Sequence, residues 1–252
     1  MSVDLATIVA LHQGLEGVPS AFAAARDGID AVLRDRGWRR TTPEDTAAAL
    51  LRGARAGCTL TAGTDATTEE DVVRVSTMVL GQVATFRATP LQALARLHAE
   101  AAARLPQDQR GRPRNGQAAD RLQWLAAMLL DPTPAPALLV AAVVHAEIAA
   151  GAPFGSHNRL VALAAERLTL VARGVDRASV LVPEAGHLAN RGAYEAALSG
   201  YPPGGGLEDG LNRPGGMEGW LRYAPNAYVA AAEASPLHAN GTQWEPGAAA
   251  HT

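Results

Sequence analysis

The chain has 252 residues, enough for one large domain or two small ones, and its 22 basic against 25 acidic groups leave a formal net charge of −3. No overall field therefore draws it toward nucleic acid or an anionic membrane surface. All 22 of the Lys and Arg positions are Arg, which excludes lysine Schiff bases, the P-loop lysine and the kinase strand lysine, while the single cysteine, Cys58, excludes an internal disulfide or a multi-cysteine zinc site and fits a reducing compartment.

Asp4 stands where a secretory signal would be basic, and no apolar run is long enough to span a bilayer, so a cytoplasmic protein without a membrane partner is expected. Apolar residues recur with helical spacing and strand-length β-branched clusters are scarce, which makes the expected fold class all-α. In chain order the spacing predicts helices over 3–13, 20–36, 43–56, 69–87, 90–104, 117–130, 136–150, 159–173, 189–199 and 216–234. Start signals are Thr42-Pro43, Thr67 with Glu70, and Thr89-Pro90 with Gln92; stops are Gly37, Gly57, and the Pro106 to Gly111 loop. The segment 201–216 is too rich in Gly and Pro to be regular, and its GGG at 204–206 lacks the GK[ST] of a phosphate loop. The expected organisation is 1–42 as N-terminal helices packed on the core, 43–234 as the main domain and 235–252 as a solvated, disordered tail. Trp38, Trp124 and Trp220 read as core or interface aromatics, whereas Trp244 falls in the tail.

Residues 136–150 are apolar around the whole helical circumference, as expected of a helix enclosed by others. The next helix shows a stripe of Leu160, Leu163, Ala164, Leu168 and Val171, with Glu166, Arg167 and Arg173 off it, so it is expected to rest one face on the core. Between them lies GAPFGSHNR, 151–159. The first amides of a helix lack intrahelical acceptors and carry partial positive charge, so Gly155, Ser156, Asn158 and Arg159 leading into them suit a phosphate or carboxylate. The plainer alternative is that Ser156 or Asn158 caps the helix and Arg159 is solvated.

This constellation resembles the Fic (Fido) family, whose signature is HPFx(D/E)GNGRxxR. An apolar helix carries His145 seven positions before Ala152, followed by Pro153-Phe154 and then Asn158-Arg159 opening a helix. GRPR at 111–114 is similar to the element before the family's substrate-aligning flap, and PLQALARLH at 90–98 to the helix preceding it. LLRGARAG at 50–57 is similar to the region of an inhibitory helix, and with VARGVD and VPEAGH the resemblance covers roughly residues 45–200. Its counterparts are divergent Fic-like proteins of actinobacteria. The resemblance implies a Fic-like helical bundle and, in active members, transfer of AMP from ATP with Mg²⁺.

Aligned on Pro153-Phe154, Ala152 takes the place of the family's catalytic His and Gly155 that of its Mg²⁺-holding acid. The two phosphate-binding arginines fall on Leu160 and Leu163, and only a one-residue deletion lets Arg159 serve as the first. A missing general base alone costs on the order of 10² to 10⁴ in rate. The inhibitory S/T-x-x-x-E-G/N motif has lost its Glu too, since that position falls on Thr61. The expected function is therefore that of a degenerate Fic-like protein, not a competent AMP-transferase. It would bind a nucleotide or other anion through Phe154, Gly155, Ser156, Asn158 and Arg159, or act through a protein partner. The alternative is an active nucleotidyl or phosphate-group transferase rebuilt around His157, Asn158 and Arg159, with His157 as catalytic base and ATP and Mg²⁺ as cofactors.

No metal site is expected. His145 and Glu147, like His98 and Glu100, are two apart on a helix and face different ways, and there is no HExxH. His145 is expected to be a buried histidine bonded to a neighbouring helix. A zinc site from His98, His145, His157 and His187 would require all four to converge. Ser156 lacks a nucleophile-elbow context, and no GxGxxG opens a helix.

Overall fold

The structure, a computed structural model, describes residues 4–34, 41–63, 67–201 and 216–238. The fold is all-α, and among the described residues the only β-type pairing is an isolated antiparallel bridge between Pro113 and Phe154. Asp4 caps α1 (Leu5–Gly14) by accepting a hydrogen bond from the Thr7 amide, and α2 (Val18–Arg34) follows. A reciprocal box between Thr42 and Asp45 starts α3 (Pro43–Thr61). The next box, at the head of α4 (Glu69–Met78), joins Thr68 to Asp71, one residue later than the Thr67 and Glu70 pairing expected. Both satisfy amides that a helix start leaves without partners. A 3₁₀ turn over 79–82 leads to α5 (Val83–Ala88), α6 (Pro90–Ala101), α7 (Gly116–Leu130), α8 (Ala137–Ala149) and α9 (Asn158–Ala172). The described C-terminal helices are α10 (Pro183–Ala189), α11 (Arg191–Gly200) and α12 (Met217–Glu233).

The core is organised by α8 and α9, which pack along each other; α3, α4, α5, α6 and α10 gather around α9, while α12 lies across α2, α8, α10 and α11. Every residue of α8 from Leu138 to Ile148 is buried, as its apolar circumference requires. The Trp220 indole on α12 donates to the Ala142 carbonyl at 2.9 Å, which satisfies the ring N–H that burial would otherwise strand. The N-terminal helices are held through α2 on α12.

Several elements depart from the spacing. α3 runs past Gly57 because that glycine lets another helix close in: a Cβ there would lie 3.3 Å from a Val72 methyl of α4. The long helix expected over 69–87 is broken by the 3₁₀ turn, and α10 was not expected. Pro183 opens it at a first-turn position, where the missing N–H costs nothing. α9 does not rest one face on the core: Glu166 and Arg167 are as buried as its leucines, because each meets a polar partner on another element. Ser235 and Leu237 are also buried, Leu237 in a small cluster with Ala49, Ala56, Val180 and Val182. Residues 235–237, expected in the solvated tail, are therefore packed in the fold. Trp124 is half-buried against the core. Gly37, Trp38, residues 202–215 with the GGG, Trp244 and the tail from 239 lie outside the described residues. No described helix is long and apolar enough to cross a membrane.

Candidate functional site

The loop from α8 to α9 turns sharply at both ends. Ala152 (φ 43°) and His157 (φ 57°) adopt left-handed backbone conformations that are costly for residues bearing a Cβ. The Asn158 side chain folds the loop between them, its Oδ1 accepting from the Phe154 amide at 2.9 Å and its Nδ2 donating to the Phe154 carbonyl at 3.1 Å. Phe154 is buried and stacks on His98 with ring centroids 4.2 Å apart. His98 Nδ1 accepts from the Gly111 amide at 2.9 Å, and the Arg114 amide donates to the Pro153 carbonyl at 2.9 Å. Three segments far apart in the chain, 90–98, 111–114 and 151–159, thus meet at one place. Burial and then the neighbouring His157 push the His98 imidazole pKa down to about 4, which leaves the ring neutral and able to accept.

The other loop residues are committed within the fold. His157 is buried, with Nδ1 2.7 Å from the Ser156 hydroxyl and Nε2 3.5 Å from the Asp71 carboxylate. Gly155 is exposed and Ser156 half-buried. Arg159 is not solvated: its two terminal nitrogens donate to the two Glu195 oxygens at 2.6 and 2.8 Å, one of them also donates to the Leu60 carbonyl at 3.1 Å, and the guanidinium lies over the Tyr194 ring. The carboxylate of Glu195 occupies the fork that a phosphate would use. No carboxylate stands on the loop to hold Mg²⁺, and Asp71, which does reach it, accepts from Thr68 and Arg74.

A second constellation lies deeper. His145 on α8, Glu166 on α9 and His187 on α10 are fully or almost fully buried, and His145 Nδ1 and His187 Nε2 each lie 2.9 Å from Glu166 Oε2. The outer nitrogens meet phenols: His145 Nε2 lies 2.9 Å from the Tyr194 hydroxyl and His187 Nδ1 2.9 Å from that of Tyr223. Trp220 stacks on His145 with ring centroids 5.5 Å apart. Burial opposes charge on Glu166, but the two imidazoles outweigh it and hold the carboxyl below the usual range, while burial holds His145 neutral. Burial also raises the Tyr194 and Tyr223 hydroxyls, so both remain protonated donors.

No family model matches this chain, and no curated protein does. The two constellations therefore stand on their geometry.

The four histidines considered from sequence form two separate pairs, His98 with His157 and His145 with His187. His145 is buried and bonded to neighbouring helices, as expected. The two-residue spacing also separates His145 from Glu147 as expected, for Glu147 accepts from the Tyr201 hydroxyl at 2.9 Å and faces Arg121 at 3.4 Å. Sequence reasoning missed Glu166, because a Glu beside an Arg on an otherwise amphipathic helix reads as a solvated face. Arg167 is in fact held by Glu184 at 2.6 and 3.1 Å, the Ser179 hydroxyl at 2.9 Å and the Leu181 carbonyl at 2.9 Å. The available signal was the pairing of Glu184 and His187 in one short apolar segment, which supplies partners for both Arg167 and Glu166.

Proposed function

We propose that this chain is a Fic-like protein without AMP-transferase activity, acting as a non-enzymatic interaction protein. Support for the resemblance comes from the convergence of 90–98 and 111–114 on the loop at Pro153-Phe154, three of the segments that carry the likeness. Support for the absence of transfer comes from what each loop group is doing. Ala152 has no proton-accepting side chain, Asn158 is closed on Phe154, and His157 is buried between Ser156 and Asp71. The single observation that carries the reading is the paired engagement of Arg159 by Glu195. It is the only arginine of the 151–159 loop, and both of its terminal nitrogens already hold a carboxylate.

The test incubates the chain with radiolabelled ATP and Mg²⁺ and titrates ATP by calorimetry. The expected result is neither label on the protein nor heat of binding. Heat that Asn158→Ala or Arg159→Ala removes would restore the nucleotide-binding function to the loop. Label incorporation abolished by His157→Ala would overturn the non-enzymatic reading in favour of a rebuilt transferase.

A further inference from the structure

We propose that His145, Glu166 and His187 form a closed site for one divalent transition-metal ion of the zinc type, tying α8, α9 and α10 together. Two imidazoles and a carboxylate suit Zn²⁺ and its imidazole-preferring neighbours rather than Mg²⁺ or Ca²⁺, which take oxygen-rich shells. One donor atom from each residue lies within 4.8 Å of the others. Tetrahedral zinc, with bonds of about 2.0 to 2.2 Å, sets its donors about 3.4 Å apart. The two nitrogens lie 2.9 Å from the same Glu166 oxygen, so a small outward movement of the carboxylate admits the ion.

The surroundings are those of a metal shell. Each imidazole presents one nitrogen to Glu166 and has the other on a tyrosine hydroxyl, Tyr194 for His145 and Tyr223 for His187. Such outer contacts fix the orientation and tautomer of ligating histidines. At the cluster His145 Nδ1 and Glu166 Oε1 are buried without a hydrogen bond, and the Tyr228 hydroxyl faces the same carboxylate. A fully buried polar atom without a partner is rare, and an ion beside Glu166 gives that nitrogen and that oxygen a ligand role.

The protons balance. In the metal-free form, with the hydrogens on the nitrogens nearer Glu166, His187 Nε2 donates to Glu166 Oε2 and His145 Nδ1 faces the same oxygen at 2.9 Å without a hydrogen bond. When the ion binds, each proton moves to the outer nitrogen and the tyrosine hydroxyl rotates to accept it. No proton leaves the protein. The metal converts a buried negative carboxylate into a buried cationic centre whose charge is delivered through three bonds.

Because the cluster is enclosed, the experiment unfolds the full chain, removes metal with chelator, and refolds it with or without Zn²⁺. The expected result is one zinc per chain after desalting, measured by elemental analysis, and a melting temperature raised by several degrees over the metal-free chain. Refolding with Co²⁺ is expected to give the intense visible bands of a low-coordinate centre. In His187→Gln and His145→Gln the zinc content is expected to fall at least tenfold, with the thermal response to zinc lost. The proposal is overturned if the refolded wild-type chain retains essentially no metal, or if the variants fold and retain it as wild type does. Should the variants fail to fold, the wild-type cobalt spectrum decides: only the weak bands of solvated Co²⁺ would leave the cluster a purely hydrogen-bonded one. None of these outcomes depends on nucleotide, so this test and the test of transferase activity fail or succeed separately.

Discussion

Arg159 and Glu195 meet fork to fork, two nitrogens on two oxygens at 2.6 and 2.8 Å, beside the start of the helix that the loop introduces. The carboxylate is intramolecular, so it is present at a local concentration no free anion matches. Replacing it with Glu195→Ala leaves Arg159 with the Leu60 carbonyl and the Tyr194 face. The pair is partly exposed, so the loss in stability is expected to be about 1 kcal/mol by denaturant titration. If the carboxylate is what keeps anions out, the same variant gains measurable phosphate affinity by calorimetry. A variant that still ignores phosphate would show that the fork is shut by other groups.

Gly53 gives a prediction in which local and tertiary effects oppose each other. It lies inside α3, where Gly→Ala ordinarily stabilises by about 1 kcal/mol. Here a Cβ would lie 2.7 Å from an Arg167 nitrogen and 2.8 Å from a Glu184 oxygen. Gly53→Ala is therefore expected to destabilise, with the midpoint of urea unfolding moving down.

The ion pair that Gly53 makes room for is itself testable. Arg167→Ala strands a buried Glu184 carboxylate and removes three further hydrogen bonds, to Ser179 and Leu181. Breaking such a pair from one side costs about 3 to 5 kcal/mol. The expected outcome of a thermal melt is a loss large enough to unfold a substantial fraction of the protein near 37 °C; a change within 1 kcal/mol would show that Glu184 does not need its partner.

His98 sets a pH dependence. Its folded-state pKa is about 4, against 6.5 for the unconstrained residue, so between these values the unfolded chain binds a proton that the folded chain does not. Stability then rises with pH across that window and is lost as pH falls from about 6.5 toward 4. The span corresponds to up to about 3 kcal/mol. Burial lowers His145 and His12 in the same direction. His98→Gln is expected to flatten the profile in chemical denaturation at pH 4.5 to 7, and an unchanged slope would remove His98 as its source.

The elements were legible in the sequence where one face had one kind of neighbour. α8 was readable as a fully enclosed helix, and the capping residues at Thr42 and the 68–71 region located two helix starts to within a residue. α9 was misjudged because periodicity assigns polar side chains to water, and here they found buried polar partners 12 to 21 residues further along the chain. The loop residues were identified by type, but type does not say whether a group faces outward. Asn158 and Arg159 have the chemistry to hold an anion and are instead closed on Phe154 and Glu195. The cluster of His145, Glu166 and His187 was out of reach for a similar reason, since no two of its members share an element.

α9 carries Arg159 and Arg167, and the carboxylate partners of both, Glu195 and Glu184, come later in sequence, on α11 and α10. During synthesis the two central helices emerge before those carboxylates, with two guanidinium groups whose charged counterparts are not yet made. A stable nucleus of α8 and α9 alone would have to solvate those charges, so consolidation waits until residues near 195 have left the ribosome. The order of translation therefore sets the earliest moment at which this core can close.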